Sequence, residues 1–312
     1  MNKGLSVLYF QPVPDHFSSE EEKIELVRMT EKYFSLQLDA LCDRVTANTK
    51  LSFLSLCGPS CSGKTTTSTR LSEALCRNGR TVRCISLDDF FRDREDLNRE
   101  SDRFSKKVDY DSASALDFSY LEKCLENLSS GKETFLPHYD FHTGRRDRLE
   151  RYLPVGNELF LFEGIQALYP EFTRLIDSSN CLSVFVNVES GYQVGKELFS
   201  ARDIRLCRRI VRDYYFRNSP PAFTLFLWES VASNEEQNIF PYVQKADIRI
   251  NSAYPYELSV IREDLLKILN TIPPQNDWYS FGKELSARFS FIEPIDKKYI
   301  PADSLYREFL RF

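Results

Sequence analysis

Residues 58 to 65 read Gly-Pro-Ser-Cys-Ser-Gly-Lys-Thr, a match to G-x-x-x-x-G-K-[ST]. Glycines in such a loop let successive backbone N–H groups wrap a phosphate, and the N-terminus of the following helix faces the same anion. Lys64 would reach the β- and γ-phosphates of a nucleoside triphosphate, and the Thr65 hydroxyl would bind Mg2+. Gly58, Ser60, Cys61, Ser62, Gly63, Lys64, Thr65 and Thr66 form the candidate nucleotide site. The plain alternative is a Gly/Ser-rich turn carrying an exposed lysine.

A phosphate loop needs acids and cations around it before it does chemistry. Asp88 and Asp89 directly follow an apolar run in SLDDFFRDR, where one of them could take the proton of an attacking hydroxyl. An N-cap or turn pair is the alternative there. Glu163 follows LFLF, where its carboxylate could order Mg2+ through the water shell; a solvated strand end would look the same. In ARDIRLCRRIVRD, helical spacing puts Arg205, Arg208 and Arg212 on one face, beside Arg209. A cationic face stabilises a transferring phosphoryl group, and a salt-bridged, solvated face is equally compatible with the run. Arg217, just beyond it, could join either arrangement.

The elements that must position these residues are legible from periodicity. Apolar runs at 51–57, 81–87, 158–162, 182–188 and 247–251 read as five short strands, separated by connections long enough for crossovers. They predict an α/β fold with a doubly wound, mainly parallel five-stranded sheet. Residues 18–44 place Ile24, Val27, Phe34, Leu38 and Leu41 on one face of a capped helix, and a second helix should run from Lys64 to about Arg77. The expected organisation is an N-terminal segment and helix (1–50), a phosphate-loop domain (51–255) and a helical C-terminal extension (256–312) packed on it.

Composition removes several functions. With 41 Lys+Arg against 46 Asp+Glu the formal charge is −5, so no overall field pulls the chain to nucleic acid or anionic membrane. No run reaches the roughly 18 apolar residues of a membrane span, and no signal-peptide pattern opens the sequence, so a cytoplasmic protein is expected. Eight cysteines without C-x-x-C pairs read as reduced core thiols. His138 and His142 are bracketed by turn residues and lack further ligands for zinc.

Taken in order, GPSCSGKTTT, SLDDFF, VDYDSASALDF, LPHYDFHTGRR, LFEGI, RLCRRIVRD and KADIRIN resemble the uridine kinase and phosphoribulokinase group of P-loop kinases over about residues 51–255. IVRDYYFRN, NIFPYVQKADIRINSAYPYEL and IPADSLYREFL are similar to a bacterial uridine or nucleoside kinase branch. Some of its members carry an added N-terminal domain related to that of threonyl-tRNA synthetase, which this chain is expected to lack. The resemblance implies ATP and Mg2+ as cofactors, Asp88 as general base with Lys64, and Arg208 and Arg212 as lid arginines. Glu163 matches the acid of the family's EGI motif. The resemblance also implies that Asp111 holds ribose hydroxyls and that Tyr139 and Arg146 line the acceptor pocket; Arg205 and Phe91 complete that expected set.

Two positions depart from the pattern. Gly144 stands where pyrimidine kinases have a base-contacting histidine, and Phe91 stands where they have a tyrosine. Loss of hydrogen-bonding groups relaxes discrimination for a base. The acceptor is therefore expected to be a small hydroxyl-bearing molecule, best matched by a nucleoside. A polyol, a sugar phosphate or a pantothenate-like alcohol is the enzymatic alternative, and a nucleotide-binding regulatory protein with little turnover the non-enzymatic one. A homo-oligomer is compatible with the sequence, and nucleic acid is not an expected partner.

Overall fold

The computed structural model describes residues 10–104 and 112–312. Strand β1 (Phe10–Pro12) precedes helix α1 (Glu20–Ala47), whose first turn carries Glu20, Glu21 and Glu22 at the positive end of its dipole. The Ser19 hydroxyl caps it by accepting from the Glu22 N–H at 3.3 Å. Val27, Phe34, Leu38 and Leu41 are buried as their spacing predicts, whereas Ile24 remains 41% exposed because the core begins one turn later.

Strand β2 (Phe53–Cys57) is buried at all five positions and delivers the chain into the phosphate loop, from which α2 (Lys64–Arg77) departs. Strand β3 (Val82–Ser86) ends in a 3-10 turn, Leu87–Phe90, that carries Asp88 and Asp89. Helices α3 (Arg94–Phe104) and α4 (Phe118–Ser129) follow, and then an antiparallel hairpin of β4 (Thr134–Asp140) and β5 (Arg145–Tyr152) with a register shift between His138 and Tyr139. Next come β6 (Leu159–Glu163), the single-turn helix α5 (Pro170–Thr173), β7 (Cys181–Asn187) and a small ribbon of β8 (Gly191–Val194) and β9 (Glu197–Phe199), with β1 paired parallel to β8. Helices α6 (Ala201–Phe216) and α7 (Pro221–Asn234), strand β10 (Ile248–Asn251) and helices α8 (Glu257–Leu269) and α9 (Tyr279–Phe289) complete the order.

The main sheet runs β10-β7-β2-β6-β3, with every neighbouring pair parallel. Successive side chains of a strand point to opposite faces, so β2 sends Leu54 and Leu56 into one core and Phe53 and Cys57 into the other. The first core takes α1, α2, α6, α8 and the C-terminal segment; the second takes α4, the 3-10 turns and Tyr139 of the hairpin. Both faces are thus covered, as a parallel sheet requires. Among the described residues no helix is long and apolar enough to cross a membrane.

The hairpin and the β1-β8-β9 ribbon lie outside the five strands that periodicity predicts. In β5, RRDRLERY is almost wholly exposed and has no apolar alternation, so only its partner makes it a strand.

Candidate active site

The phosphate loop connects β2 to α2, and its shape depends on two left-handed residues, Cys61 at φ 58° and Gly63 at φ 88°. Gly63 caps α2 and has no room for a side chain, since a Cβ there would lie 2.4 Å from Leu305 Cδ1. Gly58 meets the Val186 carbonyl at the carboxyl end of β7, and Ser62 is fully buried beneath the turn. The Lys64 ammonium curls back to donate to the Pro59 carbonyl at 3.1 Å.

Ser60, Cys61, Gly63, Lys64, Thr65, Asp88, Phe91, Glu163 and Arg212 border one cleft of about 220 Å3 at the carboxyl ends of β2, β3 and β6. This is where an open parallel sheet presents its ligands. Burial raises the Asp88 carboxyl above its ordinary range, against the opposing field of the Lys64 ammonium. Glu163 is pushed up to about 7, first by burial and then by repulsion from Asp88, while Lys64 and a 2.8 Å hydrogen bond donated by the Ser86 hydroxyl pull the other way. Asp89 faces elsewhere: its Oδ1 accepts from the Tyr139 N–H at 3.0 Å and ties the 3-10 turn to the hairpin.

The arginines of α6 divide in a way the single face predicted from spacing does not capture. Arg205 and Arg208, expected at the acceptor and the lid, are 2% and 0% exposed and lie behind the loop. Arg205 forks onto Glu235 at 2.6 and 2.7 Å and donates to the Ser60 carbonyl at 3.1 Å, while Glu235 also accepts from the Ser60 N–H at 3.2 Å. Arg208 donates to Glu257 at 2.7 Å, to the Ser252 carbonyl at 2.7 Å and to the Cys61 carbonyl at 3.2 Å, with its guanidinium against the Tyr306 and Phe309 rings. Burying a guanidinium is costly unless it is paired; although Arg205 Nε finds no partner, the remaining bonds leave both residues holding the loop. The arginines that border the cleft are Arg209, Arg212 and Arg217. All three gather on the buried Asp213, with Arg212 donating to it at 2.9 and 2.7 Å.

The acceptor-side expectations are met unevenly. Phe91 borders the cleft and packs with Phe141 and Tyr139 in a triangle of rings whose centroids lie 5.1 to 6.0 Å apart. Phe141, missed in the sequence although it sits inside HYDFHTGRR, is 57% exposed and also borders the cleft, whereas Tyr139 is buried behind it. Arg146 donates to Asp117 at 2.8 Å and lies over the Tyr120 ring, opening into a separate, shallower concavity of about 820 Å3 beside α3 and α4. That larger space lacks the phosphate loop, and we place the chemistry in the smaller cleft for that reason. Asp111 lies outside the described residues. Gly144, at φ 71°, closes the hairpin with Arg94 packed so near that a Cβ would fall 2.7 Å from its Nε. Glu308, also missed, enters the cleft from the C-terminal segment, where its Oε2 accepts from the Thr66 hydroxyl at 2.8 Å.

The donor set suits Mg2+, which takes one or two carboxylates and leaves positions for water and phosphate. Thr65 offers a hydroxyl, and the mutual repulsion of Asp88 and Glu163 is what a cation between them would relieve.

Comparison with known proteins points to one family. The chain is 28% identical over 208 residues to uridine-cytidine kinase B of Dictyostelium discoideum, covering 66% of this chain and 76% of that protein. It is 34% identical over 176 residues to a uridine kinase of Schizosaccharomyces pombe, covering 54% of this chain but only 33% of the yeast protein's length. The solved structure of a possible uridine kinase from Bacillus stearothermophilus aligns at 18% identity and a TM-score of 0.44, covering 69% of this chain and 97% of that one. The model of the phosphoribulokinase/uridine kinase family matches residues 53–254, the span from β2 to the aromatic residues after β10. The chain therefore belongs to the phosphoribulokinase/uridine kinase family and is a phosphotransferase that acts on a hydroxyl group.

Proposed function

We propose that this chain transfers the γ-phosphoryl group of ATP to the 5′-hydroxyl of a nucleoside such as uridine or cytidine. The observation that carries the reading is that Asp88 borders one cleft together with Lys64 of the phosphate loop and with the Phe91 and Phe141 rings. An apolar ring wall suits the face of a base or sugar, and the names of the curated relatives support a nucleoside.

Lys64 and the loop amides bind the phosphates. Asp88 orients the acceptor hydroxyl and takes its proton as the oxygen bonds to the γ-phosphorus and the bond to the ADP oxygen breaks. Arg212, held by Asp213 with Arg209 and Arg217, faces the charge that moves in this step. Bound Mg2+ would neutralise phosphate charge, with Thr65 and Glu163 as the residues that hold it.

ADP release measured over a panel of nucleosides, polyols, sugar phosphates and pantothenate tests the reading. Saturation by uridine or cytidine is the expected result. Turnover confined to a polyol, a sugar phosphate or pantothenate would favour the same chemistry on a simpler alcohol. ATP binding without turnover on any acceptor would favour a regulatory protein.

A further inference from the structure

The final 3-10 segment, Leu305–Glu308, lies directly on the phosphate loop. Leu305 is fully buried and fills the space beside Gly63. Glu308 Oε2 accepts from the Thr66 hydroxyl at 2.8 Å and from the Thr66 backbone N–H at 3.3 Å. That N–H belongs to the first turn of α2, whose amides have no partner inside the helix and in a phosphate loop face the bound anion.

A carboxylate of the chain itself therefore stands where a phosphate oxygen would. Its negative field reaches Glu163 and Arg212, and it adds a third acid to a cleft that already holds Asp88 and Glu163. Such a group repels an incoming triphosphate instead of helping to bind it.

We propose that Glu308 is an internal competitor for the nucleotide, a built-in stand-in for phosphate that must release Thr66 before ATP or ADP can seat. The inference rests on the reading of the loop as a nucleotide site. Leu305, Tyr306, Phe309 and Leu310 are buried and fix the backbone on either side. Displacement therefore needs only a change of the Glu308 side-chain rotamer, with the segment staying in place. The apparent affinity of the resting protein is reduced by the fraction of molecules in which Thr66 is occupied.

Calorimetric titration of Mg·ADP into the full chain and into Glu308→Gln tests this. Glu308→Gln is expected to bind ADP on the order of tenfold tighter, the size of one charge-assisted hydrogen bond. Equal affinity overturns the proposal while leaving the nucleotide site intact, and weaker binding makes Glu308 a nucleotide ligand instead. If neither protein binds ADP though both melt cooperatively, the nucleotide reading itself fails and takes the proposal with it. Should Glu308→Gln fail to fold, Glu308→Asp supplies the test. It keeps the charge, draws the oxygen back from Thr66 by one methylene, and is expected to tighten ADP binding as well.

Discussion

Behind the phosphate loop two ion pairs are sealed from water, with Arg205–Glu235 at 2% and 1% side-chain exposure and Arg208–Glu257 at 0% for both partners. On the hairpin side two pairs lie in solvent, with Arg145–Glu95 at 54% and 59% and Arg151–Glu133 at 74% and 37%. Exposed pairs of this kind contribute about 0–1 kcal/mol each, whereas deleting one partner of a buried pair costs about 3–5 kcal/mol. The loop carbonyls of Ser60 and Cys61 are thus fixed before any ligand arrives, while the hairpin is held to the core by the Phe91–Tyr139–Phe141 rings and by single hydrogen bonds such as Asp89–Tyr139. The difference separates a donor site that is preorganised from an acceptor site free to vary.

The contrast can be broken at several points. The largest effect belongs where the two sides meet: Asp88→Asn is expected to lower turnover by about 10³-fold while ADP affinity changes little. Near-normal turnover in steady-state assays would remove Asp88 from the chemistry. Arg208→Ala should cost about 3–5 kcal/mol in urea unfolding, against less than about 1 kcal/mol for Arg145→Ala. Equal losses would abolish the distinction between the two sides.

Glu163 gives a pH signature confined to the phosphate side. Its folded-state value of about 7 lies above the ordinary 4.5, so the folded chain holds the extra proton between these values and stability falls as pH rises across that window. Glu163→Gln should flatten that slope in magnesium-free unfolding experiments at pH 5 and pH 8; an unchanged slope would assign it to other groups. A smaller effect than that of Arg208→Ala is expected on the hairpin, where Gly144→Ala should destabilise by roughly 1–2 kcal/mol for its left-handed backbone, and further because the new methyl would lie 2.8 Å from the Arg94 Cβ, which no rotamer change can move. A loss above that of Arg208→Ala would mark the hairpin as the more rigid side.

What the sequence revealed follows the same division. The five strands and the loop were legible because apolar periodicity and G-x-x-x-x-G-K-[ST] are local signals. The α6 arginines were legible only as a helical phase, since what turns Arg205 and Arg208 inward is Glu235, 30 positions on, and Glu257, 49 positions on. Arg209, read as part of the run, and Arg217, read as able to join it, reach the cleft instead. Strand β5 was not among the predicted strands, because it has no apolar alternation of its own and its order comes from β4. Glu308 lies inside the quoted run IPADSLYREFL, but nothing local marked its role, because its partner Thr66 is 242 residues away.

The Arg208 guanidinium sits against Tyr306 and Phe309 while it holds the Cys61 carbonyl, so a single side chain joins the C-terminal segment to the catalytic loop. Cutting the chain back to β10 to obtain a minimal catalytic unit would strip that guanidinium of its Glu257 partner and of both rings, leaving an unpaired charge under the loop. A protease nick in the exposed Ala302–Asp303 stretch would act on the same joint from outside, so limited proteolysis and nucleotide affinity should report one shared event.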